Sequence, residues 1–243
     1  MKSIQTLTLI SLLFTSITST TDGHVFTEPH RTIVIPFPMT ADKAFEWAGW
    51  LWSVMLVVWV LLWVAAMKRP KKSEPLSEML KHGLPVILGF WLLFGSLESW
   101  GWLNYRWLPN IPATWLTGLA LTSIGIGLSI WARHTLGANW SGGVTLKNKH
   151  ELIRRGLYRS IRHPIYTGIL LAIIGTALIR GNLRGWLGFA IILVAFYFKA
   201  RREERFLRQE FGPEFDEYTR NSGMFLPIKI FIRTFVKFFK SIH

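Results

Sequence analysis

Tyr158, Arg159, Arg162, His163 and Tyr166 crowd into GLYRSIRHPIYTG at residues 156–168, and an apolar run, ILLAIIGTALI, follows at once. Beyond a second apolar run stand Glu203 and Glu204, among Lys199, Arg201, Arg202, Arg205 and Arg208. Pro164 suits the first turn of a helix, where its missing N–H would have no partner. Arg162 and His163 then stand at a helix N-terminus, where cations oppose the macrodipole. They make better sense if an anionic group binds between the helix end and their side chains. His163 and Tyr166 lie three apart and share a helical face. The simpler reading is an anchor, with the arginines on lipid phosphates and the tyrosines in the interfacial belt. Spacing alone favours it. For the glutamates the simpler reading is surface pairing at i, i+4, Lys199 with Glu203 and Glu204 with Arg208. The chemical reading is two carboxylates that hold hydroxyls and an ammonium group.

The elements that carry these residues follow from composition. Half of the 243 residues are hydrophobic, with 13 Trp and 17 Phe, which is too much for one soluble core and reads as a polytopic membrane protein. The net charge of +14 falls between apolar spans. There it reads as a topology signal and contact with the lipid bilayer, not as a nucleic-acid surface. The chain has no Cys, which removes disulfide and thiolate chemistry. His24 and His30 lack partners at ligand spacing, so no metal site is expected. Gly125-Ile126-Gly127 is not a dinucleotide fingerprint, because Ile130 holds the last glycine position.

Residues 1–21, with Lys2 and the apolar run Leu7–Phe14, read as a signal peptide or an uncleaved apolar segment. Residues 22–44, with Pro29, Pro36 and Pro38, read as a polar loop. Residues 45–110 hold the spans Trp47–Met67 and Gly83–Tyr105, the second interrupted by Glu98. That acid is either intramembrane and functional or interfacial near the outer surface. Residues 111–227 form the core, beginning with a span over Pro112–Ala132. Its Gly118, Ser123, Gly125, Gly127 and Ser129 let helices approach closely in lipid. A polar connection over 133–163 leads to Pro164–Ile179 and Gly185–Phe198, separated by RGNLR. These two runs extend roughly 24 and 21 Å. Both are short for a hydrocarbon core of about 30 Å, so they read as a hairpin using its polar ends or a thinned bilayer. Residues 228–243 place Lys229, Arg233 and Lys237 at i, i+4, i+8, a basic amphipathic helix on the membrane or a solvated basic tail.

The expected fold is thus an all-α integral membrane protein with about five transmembrane helices and a short C-terminal helical hairpin. Five spans put the basic clusters at 68–72, 133–163 and 199–208 on one side, which the positive-inside rule makes cytoplasmic. The sequon Asn139-Trp140-Ser141 would then stay unmodified. The hairpin returns Lys199–Glu204 to the leaflet of Tyr158–Tyr166.

The runs His150–Tyr158 (HELIRRGLY), Arg162–Gly168 (RHPIYTG), Glu203-Glu204 and Phe211–Tyr218 (FGPEFDEY) together resemble the isoprenylcysteine carboxyl methyltransferase family. The resemblance covers about residues 115–227. It implies an integral membrane enzyme that uses S-adenosylmethionine at the cytoplasmic face. It places cofactor contacts on His150, Leu152, Ile153, Tyr158, His163, Pro164, Tyr166 and Glu203, with Glu204 completing the pair. Trp140 and Ser141 match a frequent family feature without a firm role. The family's substrate-facing Arg, four positions before the first glutamate, is Lys199 here. That keeps a cation but loses bidentate carboxylate recognition, and leaves the acceptor's identity open.

The chemistry implied is methyl transfer to a lipophilic acceptor. Alignment and water exclusion are then the protein's task, and no metal is required. Arg162 and His163 suit the cofactor carboxylate, and the glutamates its ammonium or ribose hydroxyls. A carboxylate acceptor needs only a cation such as Lys199 or Arg202. An amine or thiol acceptor must lose a proton, with His163 as candidate base. Two other readings remain: an NADPH-dependent membrane reductase of the sterol reductase type, and a non-enzymatic membrane protein.

Overall fold

The structure, a computed structural model, describes residues 39–65, 76–95, 101–137 and 152–227. The expectations for residues 1–38, the 68–72 basic cluster, Glu98, the sequon with Trp140 and Ser141, His150 and the 228–243 tail lie outside the described residues.

The chain is helical: α1 (Ala41–Ala65), α2 (Leu76–Phe94), a single turn α3 (Gly101–Asn104), α4 (Pro112–Leu136), a 3-10 turn (Gly156–Arg159), α5 (Pro164–Arg180), α6 (Leu183–Phe211) and α7 (Pro213–Asn221). Among the described residues, three helices are long and apolar enough to cross a membrane: Ala41–Leu62, Pro112–Leu136 and Leu183–Phe211. Two shorter apolar stretches, Gly83–Phe94 and Pro164–Arg180, lie beside them. On α1, Trp50, Val57 and Leu61 stay exposed, an apolar stripe suited to lipid.

Several boundaries differ from the expected ones. The first helix starts inside the stretch read as loop, where Thr40 Oγ1 accepts the Lys43 N–H at 3.3 Å. Within the second expected span, the described helices run over Leu76–Phe94 and Gly101–Asn104, and Glu98 lies outside the described residues. The second half of the hairpin does not stop at Phe198. It continues as helix to Phe211, because Lys, Arg and Glu sustain helix as well as apolar residues do. Its turn needs only Gly181, left-handed at φ 65°, and Asn182, whose side chain accepts the Gly185 N–H at 3.2 Å.

The tightest packing joins α4 to α5 along small residues. Gly118, Thr122, Gly125 and Ser129 form one buried row on α4. It faces Gly168, Ala172 and Gly175 on α5. A methyl group built on Gly125 would lie 2.4 Å from the Ala172 nitrogen, so the two backbones touch. Ser123 and Gly127, expected in this contact, face outward instead. Thr122 takes the place expected of Ser123. Its hydroxyl donates to the Gly118 carbonyl at 2.9 Å and lies 3.3 Å from Thr176 Oγ1. Thr176 in turn accepts from Trp52 Nε1 at 3.1 Å, so one buried polar thread ties α1, α4 and α5. Such bonds contribute about 0.6 kcal/mol each in a membrane protein, more in register than in energy.

Arginines finish the helix ends, Arg133 and Arg184 buried, Arg106 and Arg180 half-buried. Arg133 donates to the Leu62 and Gly137 carbonyls at 3.1 and 3.2 Å, closing the ends of α1 and α4. At the opposite end, Arg106 donates to Ile179 and Arg180 carbonyls, Arg180 to Leu93 and Arg184 to Gly95. These arginines satisfy orphan carbonyls, so they do not count as a topology signal.

Candidate functional site

The α5–α6 turn sends α6 back along α5, and the two polar clusters meet where the hairpin opens. Arg162 Nε donates to Glu204 Oε1 at 2.6 Å, and Arg162 Nη1 donates to the Ser222 carbonyl at 2.6 Å. His163 lies between the glutamates, with Nδ1 3.4 Å from Glu203 Oε2 and Nε2 3.3 Å from Glu204 Oε1. Tyr166 donates its hydroxyl to Glu203 Oε1 at 2.7 Å. Glu204 is buried, whereas the Glu203 side chain keeps 26% of its surface exposed.

Aromatic faces build one wall. The Tyr166 ring stacks on His163 at 5.5 Å and on Phe196 at 4.6 Å, and Phe225 meets His163 edge-on. Lys199 Nζ sits 5.7 Å from the centre of the Tyr166 ring, on the cluster side of α6.

The helix mouth is held from outside by the segment after α7. Backbone N–H groups of Arg162 and His163 donate to the carbonyls of Gly223 and Met224 at 2.9 and 3.1 Å. Thr167 Oγ1 donates to the Phe225 carbonyl at 2.7 Å. Gly223 is required there, because a methyl group on it would lie 1.7 Å from the Leu226 oxygen. Tyr218 on α7 donates its hydroxyl to the Tyr158 carbonyl. Both phenols stay protonated, since burial pushes each well above the usual tyrosine range. The neighbouring Tyr218 and Glu203 add to the rise at Tyr158.

The structure therefore brings together Tyr158, Arg162, His163, Pro164, Tyr166, Lys199, Glu203 and Glu204. Leu152 and Ile153 lead into the 3-10 turn, half-buried, with Ile153 against the core. Arg202 is not brought in. It lines a separate face of α6 with Lys81 and Arg205. The expected Glu204–Arg208 surface pair is not made either, because Glu204 turns inward and Arg208 binds Asp216 at 2.7 Å. Arg162 and His163 do stand at the helix mouth, but their charges face the two glutamates. Sequence reasoning did not single out Phe196, Ser222, Phe225 or Arg133. Gly223, in a short Ser-Gly pair after a helix, was the available turn signal for the segment that closes the mouth.

Burial opposes the charged form of His163, but hydrogen bonds and the charges of Glu203 and Glu204 outweigh it and raise its pKa above the usual 6.5. The stability this gives is fully present below pH 6.5 and lost as pH rises through the raised value. The thermal midpoint should accordingly fall with rising pH in that window. His163→Gln should flatten the slope. An unchanged slope in His163→Gln would remove His163 as its source.

Residues 113–214 match a protein-family model described as phospholipid methyltransferase. The chain is 33% identical over 201 residues to the protein-S-isoprenylcysteine O-methyltransferase of Saccharomyces cerevisiae, covering 79% of this chain and 82% of that one. It is 32% identical over 139 residues to a probable protein-S-isoprenylcysteine O-methyltransferase of Oryza sativa subsp. indica, covering 56% and 67%. A solved eukaryotic intramembrane Ras methyltransferase aligns over 80% of this chain and 69% of its own, at 22% identity and a TM-score of 0.48. The protein is a multi-pass integral membrane methyltransferase. Within that class, the chain belongs to the isoprenylcysteine carboxyl methyltransferase family. Neither the reductase nor the non-enzymatic reading is favoured by these matches.

Proposed function

We propose that this chain transfers a methyl group from S-adenosylmethionine to the carboxylate of an isoprenylated cysteine, at the cytoplasmic leaflet. The observation that carries the reading is the partly exposed Glu203 carboxylate, held by Tyr166 and His163 at the edge of an aromatic wall. The donor chemistry fits the cofactor. A sulfonium and an ammonium favour carboxylates, and Glu203 offers one beside the Tyr166 ring. Glu203, Tyr158, His163, Pro164, Tyr166 and the backbone at Leu152 and Ile153 would hold it, with His150 contributing as the resemblance implies.

When bound, S-adenosylmethionine supplies an electrophilic methyl carbon whose leaving group is a neutral thioether. The chain's own residues bind, align and exclude water. Glu204 and Arg162 act as positioning residues, fixing His163 and the helix mouth. Lys199 offers one ammonium to the acceptor carboxylate, which brings no proton to remove, so no general base is needed. The basic run over 199–208 at this end of α6 supports the cytoplasmic orientation.

The test has two arms. Calorimetry should show that Glu203→Ala lowers S-adenosylmethionine affinity at least roughly tenfold, the weight of one charge-assisted hydrogen bond. Unchanged affinity would reject the site. Radiolabelled methyl should enter a farnesylated cysteine with a free carboxylate. Label recovered instead in a phospholipid amine would reject the acceptor.

A further inference from the structure

A concavity apart from the polar cluster lies on the α2–α6 face, with a volume of about 710 Å³. Ile191, Val194 and Phe198 make its apolar wall, and Lys81, Arg202 and Arg205 its basic rim. These α6 positions recur every three or four residues and form one stripe. At 3.6 residues per turn, Phe196 and Glu203 fall on roughly the opposite side of the helix and Lys199 on its flank, so α6 itself separates the groove from the glutamates. Among the described residues that line it, none is acidic. Pro85, Ala190 and Ala195, all small, give it width.

The groove is polarised along α6. Lys81 lies near the start of α2 and the arginines near the charged end of α6, while the apolar wall continues along α6 away from that end. Val194 and Phe198 are 53% and 59% exposed, as a lipid-facing wall would be. Hydrocarbon on one side and three cations at one end match a single amphiphile of net negative charge.

We propose that this groove holds an anionic phospholipid of the bilayer, one acyl chain against Ile191, Val194 and Phe198 and the phosphate among Lys81, Arg202 and Arg205. Gly89 and Gly188 already bring α2 and α6 into backbone contact further along, where a methyl on Gly188 would lie 2.6 Å from the Gly89 oxygen. The lipid ties the same two helices together at their basic ends. It thereby steadies the part of α6 that carries Glu203. The proposal goes beyond the methyl-transfer reading and does not depend on it.

The test uses the full chain, purified in detergent and offered phosphatidylglycerol and phosphatidylcholine in equal amounts. Each lipid carries a photoreactive group on its acyl chain. Native mass spectrometry should show preferential retention of phosphatidylglycerol, and its crosslinks should fall on residues 190–205. The Lys81→Gln/Arg205→Gln pair should cut that retention roughly 25-fold, about fivefold for each basic side chain near an anionic group. Retention of phosphatidylcholine should not change. Equal retention of both lipids by the unaltered chain would overturn the proposal, and this arm needs no variant to fold. Crosslinks spread over α1 and α4 would overturn it too. So would displacement of the lipid by a farnesylated cysteine, which would assign the groove to the methyl acceptor.

Discussion

Glu204→Ala is expected to unfold the site rather than merely weaken it. The buried carboxylate accepts from Arg162 at 2.6 Å and faces His163 Nε2 at 3.3 Å. Its loss strands the Arg162 guanidinium and leaves the His163 imidazole with Glu203 as its remaining carboxylate. Removing one partner of a buried pair typically costs about 3–5 kcal/mol, because an uncompensated charge stays buried. Arg162 also holds the Ser222 carbonyl, so the closing segment should loosen with it. Unfolding followed in mixed micelles should register the full loss. Glu203→Ala provides the contrast. That side chain is only partly buried, so its removal should cost less stability than removal of Glu204 while cofactor affinity falls. Equal melting of the two variants would contradict the division of labour between the adjacent glutamates.

Gly168→Val should abolish correct packing of α4 against α5. A methyl group there would lie 2.6 Å from both the Gly125 oxygen and the Ser129 nitrogen, and these are backbone atoms that cannot swing aside. Overpacking of a well-filled contact costs about 1–3 kcal/mol and more where backbones must part. Since α5 begins at the helix mouth, the displacement would carry His163 and Tyr166 away from α6. Gly127→Val is the control, because Gly127 has open space around the position of its missing methyl group. The fraction of monodisperse protein after extraction should collapse for Gly168→Val and stay unchanged for Gly127→Val. Similar yields would show that the α4–α5 contact is looser than described.

Much of this was legible in the chain. Apolar runs identify helices because the bilayer leaves the backbone few alternatives, and proline at 112 and 164 marks helix starts accurately. The return of the hairpin, and with it the meeting of the two clusters, follows from two apolar runs joined by a Gly-Asn turn. Rotational detail does not follow. Ser123 and Gly127 are as small as Gly125, but only the angle around α4 decides which of them face α5. Likewise Arg202 and Glu203 are neighbours in sequence and lie on different faces of α6. Helix length was misjudged at Phe198 because hydropathy records where apolar character ends, not where hydrogen bonding ends. The Ser222–Phe225 segment was hardest to foresee. Its work is done by backbone carbonyls, which carry no side-chain signature.

That segment has a consequence for the order in which the protein is made. The helix mouth at Arg162 and His163 is completed by carbonyls from Gly223 and Met224, which the ribosome adds only after α5, α6 and α7. Chains grow N-terminal first, and earlier elements can insert and pack before later ones exist. The membrane helices can therefore be in place while the polar cluster still lacks its last backbone partners. Competence for chemistry arrives only once Gly223 and Met224 have been added, after the hairpin has reached its position in the bilayer.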